Sequence, residues 1–500
     1  MTAMKINKIL FAAVAVMALL PACTNVEEKV YDKYAADEFF SSPEGADVAL
    51  AGVYSQIGGN WGGIGYAGAD NGWYDLNTMP TDEQVIPHRN TGDWQLDFAR
   101  LHLHQWLPTD YIVNNTWNWL YTSVFKANLA VSQLESAGAN DAKIAEARVL
   151  RAFFYYLLMD DFGSVPFYTE NNVTVSQIPQ ASREEVYNFV VNELVENADK
   201  LPGTRGGEFY GRFNKWAAYM LLAKVYLNAE VYTGTPRWAE CLAVCDKVIE
   251  GGYSLHPGGT NGSSPLGFRY YELFGDNLPD DETILAIFTR ANVVSRNVYA
   301  VRSLNGPHAQ ELFGYSGWNG TIVPGAYFQR YADSDIRKRQ FLIGQQPGGV
   351  NYTIEVESLD NPGADRNAGV RNMKFYPVEP MDGGGASNDF PIYRFADVLL
   401  MKAECLVRTN DAAAAKPLVD QVRERAGLDA LAGNPTLDDI YNERSLELNW
   451  EGHRRQDMIR FGTFLDANEF RGESQEFRKL FPIPTAALDA NPGLVQNPGY

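Results

Sequence analysis

Two stretches of this chain repeat one plan, and that plan restricts the fold more than any other feature. Residues 216–251 read as a helix rich in Ala and Leu, a break at Thr233-Gly234-Thr235-Pro236, and a second helix carrying Ala239 and Ala243. Residues 392–427 do the same, with Thr409-Asn410-Asp411 as the break and Ala412, Ala414 and Ala415 opening the second helix. Units of about 35 residues with small side chains where helices cross suit tetratricopeptide-like pairs, each of which must stack on a neighbour to bury its apolar face. The full repeat consensus is absent, so a generic helix bundle is the alternative.

Helical spacing extends well beyond these pairs. In 146–159, Ala147, Leu150, Phe154, Leu157 and Leu158 share one face, and 216–228, 238–249, 392–406, 412–425 and 437–450 read likewise. The chain is therefore expected to be mainly α. Residues 54–108, 256–267, 345–369 and 380–391 are instead rich in Gly, Pro, Asn and Asp, which mark loops. Irregular segments of that length on a packed scaffold usually carry function.

The first residues read as an address. Lys5 and Lys8 precede an uncharged run from Ile9 to Leu20, too short to span a bilayer comfortably as a helix, and Leu20-Pro21-Ala22-Cys23 resembles a bacterial lipobox. On that reading 1–22 is a signal peptide, Cys23 is lipidated, and 23–36 is an acylated tether. Several acyl chains on one cysteine hold a domain firmly at a bilayer. The formal charge of the full chain is −20, and it becomes −22 once both lysines of the leader are removed. Such a balance repels phosphate backbones and excludes a nucleic-acid partner. Four cysteines in 500 residues cannot build a disulfide framework.

The chemical motifs are weak. Gly63-Ile64-Gly65-Tyr66-Ala67-Gly68 fits the spacing of a dinucleotide loop, but no apolar strand precedes it and no helix follows. His102 and His104 read as structural, and Cys241 and Cys245, four apart on a helix, as core. Asp82-Glu83 and Asp280-Asp281-Glu282 are adjacent carboxylates rather than the opposed pair a glycosidase needs, and fit loop hydrogen bonding or a structural calcium better. Glu443, Arg444, Glu447, Glu451, Arg454, Arg455 and Asp457 alternate in sign at helical spacing and predict ion pairs between helices. No cofactor is implied.

Aromatic residues say more. Six of the ten tryptophans, Trp61, Trp73, Trp94, Trp106, Trp117 and Trp119, fall in the loop-rich N-terminal part. Trp73, Trp94 and the isolated Trp318 sit among Gly, Asp and Asn, where a ring can stack on the C–H face of a sugar while polar neighbours take its hydroxyls.

Several segments together resemble the SusD/RagB family of Bacteroidetes outer-membrane lipoproteins. They are Glu146-Ala147-Arg148 with Arg151-Ala152-Phe153-Phe154-Tyr155-Tyr156 and Gly163-Ser164-Val165-Pro166, Ala223-Lys224-Val225-Tyr226-Leu227-Asn228-Ala229, and Arg394-Phe395-Ala396-Asp397-Val398-Leu399-Leu400. Glu451-Gly452-His453-Arg454, Asp457-Met458-Ile459-Arg460 and the terminal Gln496-Asn497-Pro498-Gly499-Tyr500 continue the series in family order. The resemblance implies a SusD-like fold, a tetratricopeptide-like superhelix with long irregular ligand-binding loops. It also implies an extracellular, non-catalytic lipoprotein of the outer membrane. Such a protein captures a neutral poly- or oligosaccharide and passes it to a SusC-like TonB-dependent transporter. RagB-type relatives handle peptides instead, and a glycoside hydrolase is the remaining alternative.

Residues 37–500 then form one domain, with a helical scaffold over about 110–251 and 391–463 and loop-rich binding regions over about 54–108 and 252–390. By the same resemblance Trp318 is the expected stacking ring, in Ser316-Gly317-Trp318-Asn319, and Asp82 lies in a Pro-Thr-Asp-Glu segment like that of the starch-binding member. That member's next stacking tryptophan falls opposite Ile86, and Trp94 is expected to take its place. Tyr299 lies near a ligand tyrosine of the family. With Trp73, Asn319 and Arg371 these make up the expected ligand-binding set.

Overall fold

The computed structural model describes residues 36–59, 65–67, 70–89, 94–260, 262–290, 297–361, 365–379 and 385–500. The expected signal peptide, Cys23 and nearly all of the tether lie outside them, as do Trp61, Gly63, Ile64 and Gly68.

Ten helices carry the scaffold: α1 (Pro43–Gly58), α2 (Tyr111–Ser136), α3 (Asp141–Phe162), α4 (Arg183–Asn197), α5 (Lys215–Leu227), α6 (Trp238–Glu250), α7 (Phe395–Arg408), α8 (Ala412–Arg425), α9 (Leu437–Glu447) and α10 (Arg454–Phe461). Their starts follow local chemistry. Asn140 accepts from Ala142 N and Asn214 from Ala217 N, while Ser182 with Glu185 and Thr436 with Asp439 form reciprocal capping boxes. Each cap satisfies backbone donors that a helix cannot pair within itself.

The helices pack in chain order, α2 on α3, α3 on α4, α5 on α6, and then α6 on α7 and α7 on α8. The two similar units are thus α5–α6 and α7–α8, and they meet through α6 and α7 although about 140 residues separate them in sequence. Cys241, Cys245 and Cys405 lie buried as free thiols on these two helices.

Two expected boundaries move. The helix read over 392–406 begins at Phe395, because Phe390–Arg394 is a strand, β2, paired antiparallel with β1 (Thr283–Ile287). Pro391 keeps its predecessor extended, and both faces of the strand are buried, which removes the polar alternation that would have marked it. The helix read over 437–450 stops at Glu447, and Trp450 takes a left-handed conformation at φ 60°. That turn aims its backbone N–H at Glu83 Oε2, 3.0 Å away. Within 54–108, expected as loop, lie the end of α1 and the short helices Trp73–Thr78 and Leu96–His102.

The alternating charges of the C-terminal third do form ion pairs, and these are buried. Arg394 Nη1 lies 2.6 Å from Glu282 and 2.9 Å from Glu447, and its Nε 2.6 Å from Glu451. Arg337 joins Asp335, Glu443 and Glu447, and Arg444 joins Asp397 and Asp457. The shared carboxylates tie α7, α9 and α10 to the strand pair.

Candidate functional site

Trp318 sits on a loop that folds back over an earlier short helix. Trp318 N donates to Val301 O at 2.7 Å, Asn319 N to Leu304 O at 2.9 Å and Gly320 N to Arg302 O at 2.7 Å. Successive amides thus hang the loop on the short helix Tyr299–Ser303 and its C-terminal residue. Two glycines make the close approach feasible. A Cβ at Gly317 would stand 2.2 Å from Leu304 O, and one at Gly320 would stand 2.5 Å from the Trp94 ring.

Asn319 is the pivot. It takes the left-handed conformation at φ 55°, where asparagine is tolerated better than most residues, and both its acceptors are used. Its backbone carbonyl receives Arg89 Nη1 at 2.8 Å and its Oδ1 receives Arg371 Nη2 at 2.9 Å. Arg371 also donates to the carbonyls of Arg366, Ala368 and Gly369 and lies over the Tyr352 ring, 4.6 Å from its centroid. Burial pulls the Arg371 guanidinium down to about 10, because Tyr352 and Asp365 offset only part of its desolvation. The Tyr352 hydroxyl in turn donates or accepts at His308 Nδ1 and accepts from Asn305 N, both at 3.0 Å. Asn305 Nδ2 reaches Asn367 Oδ1 at 2.9 Å.

The expected site residues fall into two groups. Trp318, Trp94, Asn319 and Arg371 come together. Trp94 is 8% exposed, its Nε1 donates to Trp318 O at 3.1 Å, and the two ring centroids are 6.4 Å apart at 48°. Trp318 alone of the pair is half-buried, and Trp94 braces its loop through the bond to the Trp318 carbonyl. Asn319 and Arg371 are buried and shape the backbone under the ring.

The other three stand elsewhere, and for two of them burial corrects the expectation. Trp73, 2% exposed, stacks on Tyr66 with centroids 4.1 Å apart, and Tyr299, fully buried, packs against Tyr74, Phe375 and Phe390. Neither offers a ring face to a ligand; the Gly and Asp residues around Trp73 imitate an open loop in sequence only, and Tyr299, expected from the family resemblance, is covered by the aromatic core. Asp82 takes Arg454 through both carboxylate oxygens at 2.7 and 2.8 Å and Arg330 at 2.7 Å. Burial works against its ionisation, but the two guanidinium groups hold its carboxyl well below the usual range.

The adjacent carboxylates serve as pairing groups. Glu282 is buried between Arg394 and Arg425, and Asp281 faces His256 Nδ1 at 2.9 Å. His102 and His104 are buried and face the carbonyls of Met79 and Pro80 at 3.0 and 2.9 Å. Desolvation drags His102 down to about 4 and His104 to about 2, so both stay neutral. Among the described residues no group of three or more His, Cys, Asp or Glu side chains is placed to hold a metal ion. Arg89, Asn305, Tyr352 and Asn367 were not legible as site residues, since they reach the Trp318 loop only through contacts tens to hundreds of residues away in the chain.

Known proteins share this arrangement of scaffold and loops. Residues 312–500 match the SusD family, and residues 64–227 match a family described as starch-binding associating with outer membrane. The chain is 25% identical to the starch-binding protein SusD of Bacteroides thetaiotaomicron, over 85% of each chain. It is also 25% identical to SusD-like protein P25 of Formosa agariphila, over 99% of this chain and 100% of that one. Among solved structures, surface glycan-binding protein A of Bacteroides thetaiotaomicron superposes with a TM-score of 0.75 at 22% identity, covering 92% of this chain and 100% of that one. The same protein in complex with laminarihexaose gives 0.73 at 21% identity, covering 91% and 99%.

Proposed function

The chain belongs to the SusD family, and on that premise we propose that it captures a neutral poly- or oligosaccharide at the cell surface and delivers it to a TonB-dependent outer-membrane transporter. The observation that carries this reading is Trp318, a half-buried indole presented on a loop fixed by backbone amides, Trp94 and the Arg371–Asn319 bond. A rigid aromatic face binds a sugar ring at little entropic cost, and weak single contacts add along a polymer. The relatives, a starch-binding protein and surface glycan-binding proteins, support the same ligand class. The charge of −20 favours neutral over anionic glycans.

The protein acts in this reading by binding, without catalysis. Cys23 anchors it to the outer membrane on the extracellular face, and the lipobox-like Leu20-Pro21-Ala22-Cys23 supports that placement. No helix among the described residues is long and apolar enough to cross a membrane.

The test is affinity electrophoresis of the chain expressed from Thr24 onward against laminarin, amylopectin, xylan and galactomannan. Retardation by one polysaccharide without its breakdown, strongly weakened in Trp318→Ala, is the expected result. Release of reducing sugars would make the protein a hydrolase. Silence with all four, together with binding of peptides, would make it a RagB-type peptide receptor.

A further inference from the structure

A cavity lies away from the Trp318 loop. It encloses about 460 Å³, within the range of small-ligand sites, between the segments 263–265, 271–279 and 376–378. Its walls are fixed by buried polar groups. Asn388 Nδ2 donates to Phe274 O at 2.8 Å and to Tyr376 O at 3.0 Å, bridging two walls, and Asp389 N donates to Gly275 O at 2.9 Å while its Oδ2 accepts from Asn277 N at 3.2 Å. The third wall is pinned by Glu272, whose Oε1 accepts from Ser263 N at 2.8 Å and whose Oε2 faces His256 Nε2 at 2.7 Å.

The chemistry of the lining is one-sided. Glu272 and Asp276 are its charged members, among the described residues no Lys or Arg lines it although Arg269 Nε stands 3.7 Å from Glu272, and Asp276 Oδ1 is buried without a hydrogen-bond partner. Tyr376, half-buried, and Val378, 51% exposed, add an apolar side. Acceptors opposite an aromatic and an aliphatic surface fit a ring that is hydroxyl-rich at its rim and C–H-rich on its face, and they reject anions. The cavity and the Trp318 loop share packing. Tyr376 meets Phe313 edge-on at 5.3 Å, and Tyr376 and Trp318 pack against the same small apolar cluster of Val301, Leu304 and Phe313.

We infer that this cavity is a second sugar subsite, in which Asp276 accepts a hydroxyl and Tyr376 and Val378 flank the ring of a neutral glycan held at Trp318. The inference rests on the glycan-capture reading and extends it from one contact point to two. Two points on one polymer raise the apparent affinity beyond either alone.

The test uses the chain from Thr24 onward, with laminarin, amylopectin, xylan and galactomannan as probes and polygalacturonate as the anionic control. Asp276→Ala removes an atom with no protein partner, and Val378→Trp fills the cavity from an exposed position, so both variants are expected to fold with unchanged thermal midpoints. Each should weaken retardation by the bound polysaccharide at least threefold, and Trp318→Ala should leave a residue of binding that Val378→Trp removes. Wild-type retardation in both cavity variants would overturn the second subsite and leave glycan capture standing. A wild-type chain that binds none of the four neutral polysaccharides would overturn both, and tighter binding of polygalacturonate through this cavity would overturn the neutral-sugar assignment.

Discussion

The charged spine of the scaffold and the Trp318 loop use polar groups in opposite ways. In the spine, Arg394 meets three carboxylates and Glu447 meets three guanidinium groups, all buried, so that each charge is compensated by several others. In the loop, Arg371 meets carbonyls and one amide oxygen, and the binding ring rests on backbone hydrogen bonds. The first arrangement tolerates almost no substitution, because removing one member strands its partners in a low-dielectric interior. The second leaves the ring and its exposed neighbours free to vary. Motifs drawn from the spine, such as Arg394-Phe395-Ala396-Asp397, therefore mark the fold and say little about the ligand.

The contrast can be broken at several points, from the largest effect on stability to the smallest. Arg394→Ala should cost about 3–5 kcal/mol, since Glu282, Glu447 and Glu451 would be left short of positive charge, and denaturant unfolding should show the loss. Acid should attack the same spine. Burial opposes ionisation of Glu447, but Arg425, Arg394 and Arg337 pull it down to about 2, below its ordinary 4.5. A carboxylate lowered on folding contributes stability above pH 4.5 and loses it as the pH falls toward 2, at roughly 1.4 kcal/mol per unit per proton. Thermal midpoints should fall steeply across that window, and the fall should be shallower in Glu447→Gln if that variant folds.

Arg371→Ala tests the loop. It should cost about 1–3 kcal/mol by removing the partner of Asn319 Oδ1 and of the Arg366 and Gly369 carbonyls, while glycan retardation falls much further than stability does. Glu83 titrates the other way from the spine. Burial pushes its carboxyl up to about 8, so the folded state loses stability as pH rises from about 4.5 to about 8. Glu83→Gln, which keeps an acceptor for Trp450 N, should flatten that slope in midpoints measured from pH 5 to 9. Trp318→Ala should change stability least, by about 1 kcal/mol, yet remove most glycan binding, as isothermal calorimetry would record.

Much of the scaffold was written locally. Asn140, Ser182, Asn214 and Thr436 are cap residues at the helix starts the structure shows, and the apolar spacing of 412–425 gives α8 to the residue. Strand β2 escaped notice because a doubly buried strand loses its alternation, and its partner β1 lies about 100 residues earlier. Trp73 departs from its expectation for a related reason. Composition around a residue reports on the backbone near it, whereas burial is decided by which distant elements close over it.

The sequence by itself determined the helix pairs, their caps, the signed pattern of the C-terminal third and the aromatic candidates, because these depend on neighbours within a few turns. Only the tertiary structure decided which aromatic faces outward. Trp94 lies under Gly320, Arg371 and Arg89 reach Asn319 across the chain, and Asn388 joins the walls of the cavity. Those are long-range contacts, and a ring is free or buried according to them alone.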